Sequence, residues 1–129
     1  MTSARMEPIV PAVSADLDAV CCLLVACGLP TDGLSDHLST CLVVREGHEI
    51  AGSVALELYG RAALLRSLAV SQDLRGTGLG KALTAAALSL AAENAVADVY
   101  LLTETAPQFF SQLGFSNVTR ADVPGPSVA

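Results

Sequence analysis

The sequence predicts an α/β (α+β) fold: a mixed central sheet of about six strands with three or four helices, in the order β-α-β-β-β-α-β-α-β. Three observations predict it. Strand-like runs at 40–46, 49–59 and 62–71 are separated only by short breaks at Gly47 and Gly60, which is the pattern of antiparallel hairpins. A helical apolar period follows at 78–93, with Leu79, Leu83, Ala86, Ala87 and Leu90 on one face. A buried-strand run, ADVYLLT at 97–103, comes after that helix, so the later strands are joined by helical crossovers.

The remaining elements follow in order. EPIVPAV at 7–13 reads as a short first strand, and Pro8 and Pro11 place it at a sheet edge. Ser14 is a good N-cap for a helix over 15–27, whose apolar stripe is Leu17, Val20, Cys21, Leu24 and Val25. Gly28 and Pro30 stop it. Residues 31–39 are a polar link with room for one helical turn. Thr105 caps a short helix with Pro107 at its first position and Gly114 at its end. FSNVTRA at 115–121 is a last strand.

Composition limits what such a chain can be. The 129 residues make one domain, 1–129, with 52% hydrophobic and 16% charged residues, enough for one real core. The longest apolar stretch, AVCCLLVACGL, is broken by Gly28 and Pro30, short of the roughly 20 residues of a membrane span. MTSARMEPIV has no apolar segment behind Arg5, so no signal peptide is expected and the chain reads as cytoplasmic. A net charge of −6 argues against a nucleic-acid binder. Of Cys21, Cys22, Cys27 and Cys41, the first three share one expected helix, with no C-x-x-C and no nearby histidine. They read as small buried apolar residues, and no metal is expected.

The chemistry concentrates in LLRSLAVSQDLRGTGLGKAL, residues 64–83. A Walker A loop needs GxxxxGK followed by Ser or Thr, but Gly80-Lys81 is followed by Ala82 and the upstream position is not glycine. A Rossmann fingerprint needs GxGxxG, but three residues after Gly78 in Gly76-x-Gly78 stands Lys81, not glycine. What remains is a bare backbone at a helix start. Free N–H groups and the positive dipole end gather there, and glycines let a phosphate approach them. Arg75 and Lys81 flank the loop in an otherwise acidic chain, which points to a bound polyanion. The alternative is a glycine turn with two solvated charges.

At this point the residues meet a known pattern. Arg75-Gly76-Thr77-Gly78-Leu79-Gly80 fits the R/Q-x-x-G-x-G/A loop and resembles that of the GNAT superfamily of N-acetyltransferases. SLAVSQDLRGTGLGKALTAAAL is similar to its fourth strand, loop and third helix, and APQFFSQLGF at 106–115 to its fourth helix and the start of the next strand. The resemblance covers nearly the whole chain. The fuller run ALLRSLAV…YLLTETAPQFFSQLGF further resembles a small branch associated with arsenic resistance.

The resemblance implies an enzyme, an acyl-CoA-dependent N-acyltransferase that moves an acetyl group from acetyl-CoA to an amine by direct attack in a ternary complex. The backbone of Arg75, Gly76, Thr77, Gly78, Leu79, Gly80 and Lys81 is expected to hold the pyrophosphate. The pantetheine arm is expected along Leu68, Ala69 and Val70, where the fourth strand splays from the fifth at a bulge. The Val70 N–H faces the thioester carbonyl, a donor aimed at the developing oxyanion. An ammonium must lose a proton first, and Glu57 or Glu104 is the candidate base, directly or through water. Many members carry a tyrosine acid where this chain has Phe110. Tyr59, Tyr100 or a water substitutes, or the thiolate leaves unaided. Phe109 and Phe110 are expected to pack on the cofactor or the core.

Arg66 stands in an apolar strand, where an unpaired charge is costly. It reads as lining the acceptor cleft and recognising an oxyanion, or as a salt bridge to Glu57 or Glu104. Glu57 and Thr103 complete the substrate side. His37 and His48 read as loop residues without a role. The expected acceptor is a small amine, amino-acid-like in form, with no nucleic acid and no membrane as partner. A non-catalytic acyl-CoA-binding module and a protein or peptide acetyltransferase are the alternatives. The tail ADVPGPSVA is a poor central strand. The family's last strand reads as missing or short, which favours a homodimer.

Overall fold

A computed structural model of the chain describes residues 8–101 except 30, 32 and 48. Among them, five strands form one sheet in the order β1-β2-β3-β4-β5: β1 Val10–Pro11, β2 Cys41–Glu46, β3 Glu49–Tyr59, β4 Ala62–Val70 and β5 Asp98–Leu101. The first four pair antiparallel, β2–β3 and β3–β4 through tight turns at Gly47 and Gly60, and β4 pairs with β5 in parallel. That parallel pair needs a crossover, and α2, Leu79–Glu93, supplies it. The expected helix over 105–114, the strand over 115–121 and the tail expected to lack the family's last strand lie outside the described residues.

Alternation along β3 divides the core. Val54 and Leu56 face α2 and pack with Leu65, Leu79, Leu83, Ala87 and Ala91. Ala55, between them, faces α1 (Leu17–Ala26) and packs with Val20, Leu24, Leu34, Cys41 and Val43. The period-2 pattern of the strands thus serves two helical layers at once.

Three local expectations are corrected. The first strand is two residues long, because the chain leaves β2 after Ala12 N–H donates to the Cys41 carbonyl at 2.8 Å. Ser14 does not cap the helix. A 3-10 turn, Ser14–Asp16, comes first, and the Asp16 carboxylate accepts the Val13 N–H at 2.9 Å and Arg45 Nη2 at 2.5 Å. That pair ties the start of α1 to β2. Val25 is 68% exposed rather than in the stripe, because one residue beyond buried Leu24 is a 100° step around the helix. The link reading is right in kind: residues Leu34–Thr40 wind as 3-10 turns with a kink at His37.

The cysteines separate by burial. Cys41 is fully buried, and burial together with the Asp16 charge pushes its thiol up to about 11, so it behaves as an inert apolar residue. Cys22, expected inside, is exposed. Among the described residues, no helix is long and apolar enough to cross a membrane, and no group of three or more His, Cys, Asp or Glu is arranged to hold a metal.

Candidate active site

The loop between β4 and α2 forms for backbone reasons. Gly76 and Gly78 have φ of +84° and +89°, the left-handed region that side chains with a Cβ rarely enter. Gly78 is the N-cap of α2, and an added Cβ at either position would point into open space. The Thr77 N–H and hydroxyl both donate to the Leu74 carbonyl, at 3.3 and 2.6 Å. Ala82 N–H is the first to bond into the helix, to Gly78 O at 3.0 Å. Among the described residues the N–H groups of Gly76, Gly78, Leu79, Gly80 and Lys81 have no backbone acceptor. Five donors around an exposed glycine surface at a helix start form an anion cup. Leu79 contributes only its amide, since its side chain is buried in the core.

The Arg75 guanidinium lies back from this cup. Its Nε donates to the Val70 carbonyl at 3.3 Å and its Nη2 to Cys27 Sγ at 3.4 Å. Its charge therefore sits where the cup meets the end of β4. There the register decides which backbone is available. Ser71 N–H donates to Ala51 O at 2.8 Å, so Val70 and Gly52, the next pair, face each other without hydrogen bonds. The Val70 amide points away from β3, as its expected role demands. Ala69, also expected to meet the cofactor, is turned the other way. It pairs with Ser53, and its amide and carbonyl turn toward β3.

A bulge interrupts β4 as expected. Ser53 pairs with Ala69 and Ala55 with Arg66, so two residues, Ser67 and Leu68, oppose Val54 alone. Ser67 carries the distortion at φ +60°, which costs on the order of 1–3 kcal/mol for a residue other than glycine. Buried Ser53 steadies it by donating from Oγ to the Ser67 carbonyl at 2.8 Å. The bulge also changes faces: Leu65 and Leu68 both pack toward α2. Arg66 is thereby turned to the α1 side, opposite Leu68. The divergence of β5 from β4 concerns residues beyond Leu101, outside the described residues, as do Thr103, Glu104, Phe109 and Phe110.

On that side Arg66 meets Glu57. Arg66 Nη1 donates to Glu57 Oε1 at 2.8 Å, Tyr59 OH to Oε2 at 2.6 Å, and His37 Nε2 lies 3.0 Å from Oε2. Arg66 is salt-bridged to Glu57, one of the partners expected for it. Glu57 and Tyr59 are two apart on a strand and share a face, a signal present in the sequence. His37 carried no such signal. It arrives through the 3-10 turn, which Thr40 Oγ1 pins to the Leu56 carbonyl at 2.6 Å. Ser53 and Ser67 were likewise missed.

Burial pushes the Glu57 carboxyl up, but hydrogen bonds from Tyr59 and Arg66 and the charges of Arg66 and His37 outweigh it and hold it below the usual carboxylate range. The Tyr59 phenol is pushed up, first by its hydrogen bond to Glu57, which makes it a weaker acid. At Asp16 the Val13 amide is the largest effect and Arg45 adds to it, so this carboxyl also lies low against burial. A carboxylate held low in the fold adds stability that is fully present above its unfolded pKa of about 4 and is lost as pH falls through the folded value. Denaturation midpoints measured from about pH 6 to about pH 3 should fall less steeply for Glu57→Gln and Asp16→Asn than for the native chain. Equal slopes would count against both networks.

A sheet with a bulged fourth strand, running through a glycine anion cup into a helix, defines a family. The chain belongs to the acetyltransferase (GNAT) domain family, which matches residues 37–117. An uncharacterised N-acetyltransferase of Chlorobaculum tepidum is 27% identical over 94 residues, 72% of this chain and 60% of that protein. The N-acetylglutamate synthase of Neisseria gonorrhoeae, solved with coenzyme A and L-arginine and also with coenzyme A and N-acetyl-glutamate, shares the fold. In the L-arginine complex the TM-score is 0.82 at 21% identity over 95% of this chain and 30% of the synthase. A GNAT acetyltransferase of Staphylococcus aureus has a TM-score of 0.80 at 17% identity, covering 93% of this chain and 90% of that one. The chain thus spans well under two thirds of the synthase and somewhat under two thirds of the curated relative.

Proposed function

We propose that this chain transfers an acetyl group from acetyl-CoA to the primary amine of a small, amino-acid-like acceptor, by direct attack in a ternary complex. The observation that carries the reading is the set of five N–H groups, Gly76 and residues 78–81, without a backbone acceptor among the described residues, next to the outward-facing Val70 amide of β4. The cup takes the pyrophosphate. The strand backbone takes the pantetheine, and the Val70 N–H faces the thioester carbonyl, where a fixed donor lowers the cost of the developing charge. Arg66 and Glu57 line the acceptor side. The coenzyme A complexes of the synthase, with L-arginine or N-acetyl-glutamate, support both halves of this reading.

The test is thiol release from acetyl-CoA across a panel of amino acids, simple amines and a peptide. Turnover is expected with an acid-bearing amino acid, and Arg66→Ala should raise its KM tenfold or more, a loss of about 1.4 kcal/mol of binding. A peptide turned over best, and unaffected by Arg66→Ala, would move the reading to a protein acetyltransferase. Acetyl-CoA binding without turnover of any amine would leave an acyl-CoA-binding module, the reading that Phe110 in the usual tyrosine position favours. A role in arsenic resistance and a homodimer belong to the same proposal. They are read from growth on arsenic of cells expressing the chain, and from sedimentation.

A further inference from the structure

Glu57 is the base that the sequence puts forward among the described residues, and its surroundings work against it. Oε1 accepts from Arg66 and Oε2 from Tyr59, and His37 Nε2 lies 3.0 Å from Oε2. Donors that stabilise the charged form make a carboxylate a weak proton acceptor. The same geometry equips its neighbour. A carboxylate oxygen 3.0 Å from Nε2 favours the proton on that nitrogen and leaves a lone pair on Nδ1. His37 Nδ1 has no hydrogen-bond partner among the described residues, and the side chain is 23% exposed.

We propose that His37 Nδ1 accepts the proton of the acceptor amine, and that Glu57 is the positioning residue that fixes the imidazole tautomer. Arg66 and Tyr59 hold the Glu57 carboxylate in turn. This role presupposes acetyl transfer by the chain. The groups around His37 are Glu57 and Tyr59 from β3 and Arg66 from β4, with Gly33 against the ring and against Arg66. Asp36, on its own turn, is exposed. The segment bearing His37 runs from Cys27, whose thiol lies 3.7 Å from the Val70 carbonyl, to Thr40, bonded to Leu56. His37 and Arg66 meet at Glu57, and Arg66 adjoins the β4 bulge, four residues before Val70.

The ammonium of the acceptor gives one proton to Nδ1, directly or through one water. The freed lone pair attacks the thioester carbonyl carbon and the C–N bond forms. The C–S bond then breaks, and coenzyme A leaves as the thiolate and takes up the second amine proton. The products are the amide, the coenzyme A thiol and one proton, which the imidazolium releases to solvent.

Two readouts test the proposal. The chain has two histidines, so nitrogen-15 NMR with His37→Gln as the assignment control reads the tautomer directly. The Nε2–H form is expected in the native chain, with a mixture in Glu57→Gln. A protonated Nδ1 in the neutral ring would overturn the assignment. With acetyl-CoA and the amine turned over fastest in the panel, His37→Gln should lower kcat/KM about 10²- to 10³-fold and remove the acid limb of its pH profile. The rise in Tm with acetyl-CoA should stay intact. Turnover within threefold of the native chain, with the limb retained, would sink the proposal while leaving acetyl transfer standing. A native chain that binds acetyl-CoA and acetylates no amine would sink acetyl transfer and this role with it.

Discussion

Gly78→Glu should abolish the rise in melting temperature that acetyl-CoA gives the native chain. At about 100 times its dissociation constant a ligand adds roughly 2.7 kcal/mol, which for a domain of this size is a rise on the order of 5–15 °C. The substitution acts twice. It puts a Cβ at φ +89° on the N-cap of α2, and it sets a carboxylate among the N–H groups that would receive a pyrophosphate, so like charge and bulk both oppose the ligand. The first effect has a matched control. Gly60, in the β3–β4 turn, has φ +63° and equally open surroundings. Gly60→Glu should lower the unliganded Tm by a similar amount and keep the acetyl-CoA rise in full. A rise that survives in Gly78→Glu would show that the glycines only shape a turn, and acetyl transfer would lose its carrying observation.

Gly52→Ala should destabilise the fold by about 1–3 kcal/mol, the usual cost of forcing a methyl into a packed core. Gly52 lies on β3 against α2. A Cβ there would come within 2.9 Å of Leu83 Cδ1, 3.1 Å of Val44 Cγ1 and 3.3 Å of the Ala69 carbonyl oxygen. Leu83 is fully buried and Ala69 O is backbone, so neither yields cheaply. The clash has a consequence at the site as well, because Ala69 lies beside Val70 on the strand read as carrying the pantetheine. Leu83→Ala alone should cost about 2–5 kcal/mol through its cavity. The double variant should cost less than the sum, since the alanine methyl at 52 enters the space Leu83 leaves. Strict additivity in denaturant melts would show that Leu83 is not what resists the added methyl.

The strand pattern, the hairpin turns and the α2 stripe were legible because period and glycine placement are local properties. β2, β3 and β4 begin and end within a residue or so of the expected bounds. The loop was legible for the same reason, since Gly76, Gly78 and the helix start are contiguous in the chain. The start of α1 was read less well. Ser14 has the right chemistry for a cap, yet Asp16 takes the Val13 amide because Arg45, 29 residues away, holds its carboxylate in place. Arg66 sits at the boundary. Its oddity in an apolar strand was visible, but which face it takes depends on a bulge centred on Ser67 and stitched by Ser53.

By itself, then, the sequence determined the order of the strands and main helices from β1 to β5 and the glycine loop at the start of α2, because each depends on neighbours a few residues apart. Only the tertiary structure decided what Glu57 is. The carboxylate is surrounded by His37, Tyr59 and Arg66, which reach it from a 3-10 turn and two strands. Long-range packing brings donors separated in sequence onto one carboxylate, and their combined field sets its basicity. No periodicity in the chain records that convergence, which is why the sequence offers Glu57 as a carboxylate and only the fold shows its three neighbours.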